Sequence, residues 1–87
     1  MSPTTAPDRP EIVRRLSEIF ADVLARPALI LTESDTPATV PGWDSLAHIT
    51  VMLAVEHTFG FKLRTAEIAK LQQVGELVTT IMARGKF

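Results

Sequence analysis

The sequence predicts an all-α fold: a small four-helix bundle of three main helices and one short helix, with a long loop between the first two. Three observations carry this. Apolar residues recur at helical intervals over three separate stretches. Stop residues, Pro27 and Gly60, lie just beyond two of them. The one run that could be a strand, Leu29-Ile30-Leu31, has no partner strand elsewhere. At 87 residues there is room for a single core.

Residues 1–7, rich in Pro, Thr and Ser, read as a disordered lead-in, and residues 8–87 as the folded domain. Asp8 precedes Glu11 at capping-box spacing, with Pro10 in the first turn, where a missing N–H costs nothing. Ile12, Leu16, Ile19, Phe20, Val23 and Leu24 then predict a helix over 9–25, ended by Pro27. Residues 26–44 hold Pro27, Pro37, Pro41 and Gly42, a connection too long to be a plain turn; Leu29, Ile30 and Leu31 suggest that part of it folds back on the core. The second helix runs from Ser45 to Phe59 and stops at Gly60, a favourable C′ residue. A short turn follows over Thr65–Lys70. Val74, Leu77, Val78 and Ile81, at i, i+3, i+4 and i+7, mark the last helix.

Composition excludes several function classes. Nine basic against ten acidic residues leave a net charge of −1, with no basic stripe for nucleic acid. The N-terminus has no signal-peptide core, and the run around Ile49–Val55 is too short to span a bilayer; the expectation is a cytoplasmic monomer. There is no cysteine, hence no disulfide, thiolate metal site or thiol nucleophile on the chain.

The second helix is apolar on two sides. At about 100° per residue, His48, Val51, Met52, Val55 and Phe59 share a side, the natural core stripe. Leu46, Ile49, Leu53 and Glu56 share another. Either the helix is central and touches neighbours twice, or Leu46, Ile49 and Leu53 form a docking patch.

Ser45, in Pro41-Gly42-Trp43-Asp44-Ser45-Leu46, also admits two roles. Serine is a strong N-cap, and Asp44 suits the positive end of a helix. Alternatively its hydroxyl is where another group is attached. A hydrolase role lacks support: there is no G-x-S-x-G elbow, and His48 with no pocket does not make a triad. His48 and His57, nine positions apart, are not a metal pair on a helix, and no metal site is expected.

The G-W-D-S-L run after a long loop, the E-H-T-F-G-F-K-L that ends the next helix and the later L-Q-Q-V-G-E-L-V together resemble the acyl carrier protein family over about residues 9–83. The resemblance implies a four-helix, non-catalytic domain whose Ser45 bears 4′-phosphopantetheine, placed there from coenzyme A by a separate phosphopantetheinyl transferase with Mg²⁺. The thiol of the acyl thioester would then belong to the arm, which makes the absence of cysteine coherent. It further implies partner docking through Asp44, Leu46, Ile49, Leu53 and Glu56, and an acyl chain tucked between helices, with Val51, Val55, Phe59, Leu71 and Leu77 as candidate lining residues. Plain core packing is the alternative role for each of these five.

Fatty-acid carriers are strongly acidic along the second helix, whereas this chain has Ala47, Thr50 and His57 at positions where acids would sit. The W-D-S-L wording is closer to polyketide carriers, and the reading is a free-standing carrier of polyketide or hybrid biosynthesis, served by an acyltransferase or ligase and a ketosynthase. A peptidyl carrier loaded by an adenylating enzyme, and an unmodified helical adaptor binding through Leu46, Ile49 and Leu53, are the rival readings.

Overall fold

In the computed structural model the described residues are 7–87, and they contain four helices and no strand: α1 (Arg9–Val23), α2 (Ser45–Phe59), α3 (Thr65–Lys70) and α4 (Val74–Arg84). The expected disordered lead-in lies outside the described residues except for Pro7.

The start of α1 follows its sequence signal. The Asp8 carboxylate accepts the Glu11 N–H at 3.0 Å, and Pro10 sits in the first turn. Its end does not. The helix stops at Val23, two residues short of the expected boundary, and Pro27 is not what stops it. Ala25 adopts a left-handed conformation, φ 54°. The Arg26 N–H then donates to the Ala21 carbonyl at 2.8 Å and the Ala25 N–H to that of Asp22 at 3.3 Å, the paired bonds of a Schellman cap. That cap usually recruits glycine, so alanine gave no signal for it.

The connection from α1 to α2 is an ordered piece of the domain. Buried Ser17 of α1 donates its hydroxyl to the Val13 carbonyl at 2.9 Å and accepts the Leu31 N–H at 3.0 Å. This seats Leu31 in the core and leaves Ile30 outside. Further along, Asp35 accepts from the Thr32 N–H and the Thr39 hydroxyl, both at 2.8 Å. The folded loop then supplies backbone carbonyls to α4, whose own N-cap, Gln73, makes no side-chain cap. The Val74 N–H donates to Asp35 at 3.0 Å and the Gly75 N–H to Glu33 at 2.8 Å. A Cβ on Gly75 would lie 3.1 Å from that Glu33 oxygen, so glycine permits the approach. Arg9 completes the junction, its guanidinium on the Glu33 carboxylate at 2.6 Å and on the Gly75 carbonyl at 3.0 Å.

The α2 stripe expected to face the core does so: His48, Val51, Met52, Val55 and Phe59 are all buried. They pack against Ile12, Leu16 and Phe20 of α1 and Val74, Leu77, Val78 and Ile81 of α4, with α1 touching both partners. Gly60 ends α2 in the left-handed conformation. In contrast, α3 has no buried residue. Its Glu67 reaches back to the Arg64 N–H at 2.8 Å and forward to Arg84 of α4 at 2.6 Å.

Two predictions follow from this framework. An L-residue in the left-handed region carries a penalty of about 1–2 kcal/mol, partly offset because glycine has more freedom in the unfolded chain. Ala25→Gly should therefore raise stability by about 0.5–1 kcal/mol, read as a higher urea midpoint. The second concerns acid. Arg14, with Arg15, lowers the Glu11 carboxyl from 4.5 to about 2. Arg9 lowers Glu33, the Thr32 N–H lowers Asp35 with help from Thr39, and the Arg64 N–H lowers Glu67 with help from Arg84. All four bind protons less readily folded than unfolded. Their stabilisation is complete above the ordinary carboxyl values and is lost as pH falls through the lower folded ones. Urea midpoints at low ionic strength should hold steady from neutral pH to about 5 and then fall toward pH 2. Added salt should flatten the part owed to the exposed Arg–Glu pairs.

Candidate functional site

Pro41 and Gly42 turn the chain between Val40 and Trp43, whose carbonyl and N–H meet at 3.1 Å; Gly42, φ 91°, occupies the corner that needs a positive φ. The turn drives Val40 and Trp43 into the core and delivers Asp44 and Ser45 to the surface at the head of α2.

The cap expected of Ser45 is made by its neighbour. Asp44, in extended backbone conformation, accepts the Ala47 N–H on its carboxylate at 2.8 Å and the His48 N–H on its carbonyl at 2.8 Å. Aspartate caps as well as serine does, and the one-residue offset follows from burial of Trp43, which sets where the helix can begin. Ser45 is thus the first helical residue. It is exposed, and its hydroxyl has no hydrogen-bond partner among the described residues. The N–H groups of Ser45 and Leu46 likewise meet no acceptor there.

Beside Ser45 opens a mostly apolar cleft of about 650 Å³ between α2 and α3, lined by Pro37, Trp43, Asp44, Ser45, His48, Ile49, Thr65, Ile68, Ala69 and Gln72. Its inner wall is a buried polar bridge. The Trp43 indole N–H donates to His48 Nδ1 at 2.9 Å. Indole nitrogen is a donor only, so Nδ1 is the acceptor and the proton is on Nε2, which donates to the Ile68 carbonyl at 2.6 Å. With both ring nitrogens engaged, His48 is no base for Ser45, and the Asp44 carboxylate is held by the cap. The chain therefore offers an exposed hydroxyl without activating it.

The docking candidates divide. Leu46, Ile49 and Leu53 are 76%, 50% and 56% exposed, and Asp44 is exposed beside them. Glu56 is half-buried, with its carboxylate accepting the Leu63 N–H at 2.6 Å, so it holds the α2–α3 connection. The acyl-lining candidates lie elsewhere. Val51, Val55, Phe59 and Leu77 are sealed within the core and Leu71 is half-buried at its edge, and none of the five lines the cleft. Helical periodicity finds buried stripes; it cannot find a wall assembled from a loop tryptophan and a six-residue helix. A lone tryptophan five positions before a histidine was the available signal for the bridge.

A family model described as a phosphopantetheine attachment site matches residues 14–81. The chain belongs to the phosphopantetheine-binding acyl carrier family. An acyl carrier protein of Saccharopolyspora erythraea is 30% identical to it over 80 residues, 88% of this chain and 84% of that one. The carrier also resembles the holo acyl carrier protein of Geobacter metallireducens, with a TM-score of 0.74, 26% identity and 83% of each chain covered. Its prosthetic group is phosphopantetheine, and its part is to carry rather than catalyse, meeting a phosphopantetheinyl transferase and the enzymes of a pathway. No helix among the described residues is long and apolar enough to cross a membrane.

The head of α2 suits that group. A phosphodiester needs an accessible hydroxyl for its bond and donors for its charge, and a helix start with two unengaged N–H groups supplies both. Because capping and hydroxyl are on different residues, their energetics separate. Asp44→Ala should lower stability by about 1 kcal/mol, whereas Ser45→Ala should stay within about 0.5 kcal/mol of the parent. Urea denaturation of the two variants measures both.

Proposed function

We propose that Ser45 is the residue that bears 4′-phosphopantetheine, and that the carrier holds thioester-bound intermediates of polyketide or hybrid biosynthesis. The observation that carries the assignment of Ser45 is its exposed hydroxyl, free of the cap, at the start of α2 and on the rim of an apolar cleft. The hydroxyl oxygen forms the new bond to phosphorus as the pyrophosphate link of coenzyme A breaks. The adenosine bisphosphate leaves with the bonding electrons. The hydroxyl proton passes to a base on the transferase, since neither Asp44 nor His48 is placed to take it. Bound, the arm supplies the thiol that this cysteine-free chain lacks.

Docking in this reading uses Leu46, Ile49 and Leu53 with Asp44 at one end. A single acid, Glu56, lies within α2, and it is engaged by the backbone of Leu63. Long-range steering by charge is weak on such a face, which fits partners that present apolar rather than basic surfaces. This sparsity of acid supports a specialised pathway over general fatty-acid synthesis.

Intact mass, before and after incubation with coenzyme A, Mg²⁺ and a promiscuous phosphopantetheinyl transferase, tests the assignment. The parent should gain one phosphopantetheine and Ser45→Ala none. Gain by the variant would move the site to another hydroxyl.

A further inference from the structure

We propose that the Leu53 end of the docking row receives an enzyme surface rimmed with carboxylates, so that α2 is read in one direction by an apolar, acidic partner. The inference rests on the docking face of the proposed function and names the chemistry of the partner it fits.

The net charge of −1 hides a division along the chain. Up to Glu56 there are four lysines and arginines against eight acids, and after it five against two. Part of that basic excess gathers where α2 ends. Leu53, 56% exposed, shares a depression of about 640 Å³ with His57, Lys62 and Lys86, each of them exposed. The backbone holds both lysines there. The Lys86 N–H donates to the Phe59 carbonyl at 2.7 Å, and the Phe87 ring stands edge-on to Phe59 with centroids 6.1 Å apart. The Lys62 carbonyl accepts from Arg84 at 2.5 Å, and the same guanidinium lies 5.5 Å over the Phe61 ring.

The acids of this region are already engaged. Glu56 accepts the Leu63 N–H, and Glu67 pairs with Arg84. Neither Lys62 nor Lys86 has an ion-pair partner among the described residues. His57, in the last turn of α2, suits the dipole of its own helix. Lys62 and Lys86 come from the following loop and from the residues after α4, so their convergence on Leu53 is a product of the fold. Asp44 stands at the opposite end, about 20 Å away along the helix axis. The row Leu46, Ile49 and Leu53 thus runs from a carboxylate to a pair of ammonium groups. Apolar contact supplies area on such a face, while opposite charges at the rim set register and reject the reversed orientation. A partner with a basic rim would meet like charge beside Leu53.

Peptide probes test this: a helix of roughly 18 residues with one leucine face and three Glu at one end, and two copies with Gln or Lys in their place. Each is titrated into the isotope-labelled carrier and followed by amide shifts. At about 50 mM salt the Glu peptide should bind roughly fivefold more tightly than the Gln peptide, and the Lys peptide more weakly than either. The largest shifts should fall at Leu53, His57, Lys62 and Lys86. About 500 mM salt should bring the three affinities within roughly twofold. The double variant Lys62→Glu/Lys86→Glu should reverse the order, Lys70→Glu should keep it, and Leu53→Gln should weaken all three. Equal affinities in the parent, or an order that survives the double variant, overturn the proposal. So does binding to phosphatidylglycerol vesicles without preference among the peptides, which would make the patch a membrane contact. Intact mass after transferase loading is read in parallel. A parent that gains no phosphopantetheine removes the Ser45 reading, while the order of the peptides alone decides the docking surface.

Discussion

The place of α3 depends on one imidazole. This helix is six residues long and contributes no fully buried side chain, only half-buried Ile68 against the core, so its length alone could not hold it. What holds it at the cleft is the His48 Nε2–H on the Ile68 carbonyl. That donor exists because Trp43 occupies Nδ1 and so places the ring proton on the other side. Three segments, the end of the long loop, α2 and α3, are thereby joined through a single residue. A salt bridge from Glu67 to Arg84 ties the same helix to α4, but it is largely exposed and contributes little on its own. The bridge and the packing of Ile68 on the core act at the same residue, and together they shape the cleft beside Ser45.

The long connection does for α4 what the bridge does for α3. A helix start leaves N–H groups unsatisfied, and α4 begins with Gln73, Val74 and Gly75, which provide no side-chain cap. The carbonyls of Asp35 and Glu33 take that role from a distance in sequence, and Arg9 secures the same corner from α1. Length in this loop is therefore not slack. It is the distance needed to anchor at Ser17, pass the N-terminus of α4 and return to deliver Trp43 to the core. Several long-range contacts share partners here, so damage at Glu33 or Gly75 would be felt at the starts of both α1 and α4.

Local signals in the sequence were legible where a single element decided the outcome. The periodicity of α2 separated buried His48, Val51, Met52, Val55 and Phe59 from exposed Leu46, Ile49 and Leu53; Asp8 and Gly60 marked two helix ends. Legibility failed where the answer depended on backbone conformation or on distant partners. Ala25 takes a position that glycine would have announced. Asp44 and Ser45 are both good caps, and only the burial of Trp43 settles which one serves. Val51, Val55, Phe59 and Leu77 lie in the core and Leu71 at its edge, positions that suit either an acyl lining or the plain packing that was its alternative. The cleft itself is built from Thr65, Ile68, Ala69 and Gln72, which no stripe in the sequence connects to α2.

The adjacency of Asp44 and Ser45 divides two demands that a single residue could not meet well. A capping serine has its oxygen directed at a backbone N–H, and covalent modification of that oxygen would disturb the cap it makes. Shifting the cap by one residue frees the hydroxyl while keeping it on a rigid helix start, where its position is set by the Pro41–Gly42 turn and by buried Trp43. As the proposed attachment point, Ser45 can then gain or lose a charged group without the helix unwinding. Since the chain places no base against that hydroxyl, its reactivity waits on a partner. A carrier needs this combination: a hydroxyl that is exposed and fixed in place, yet inert until the enzyme that modifies it arrives.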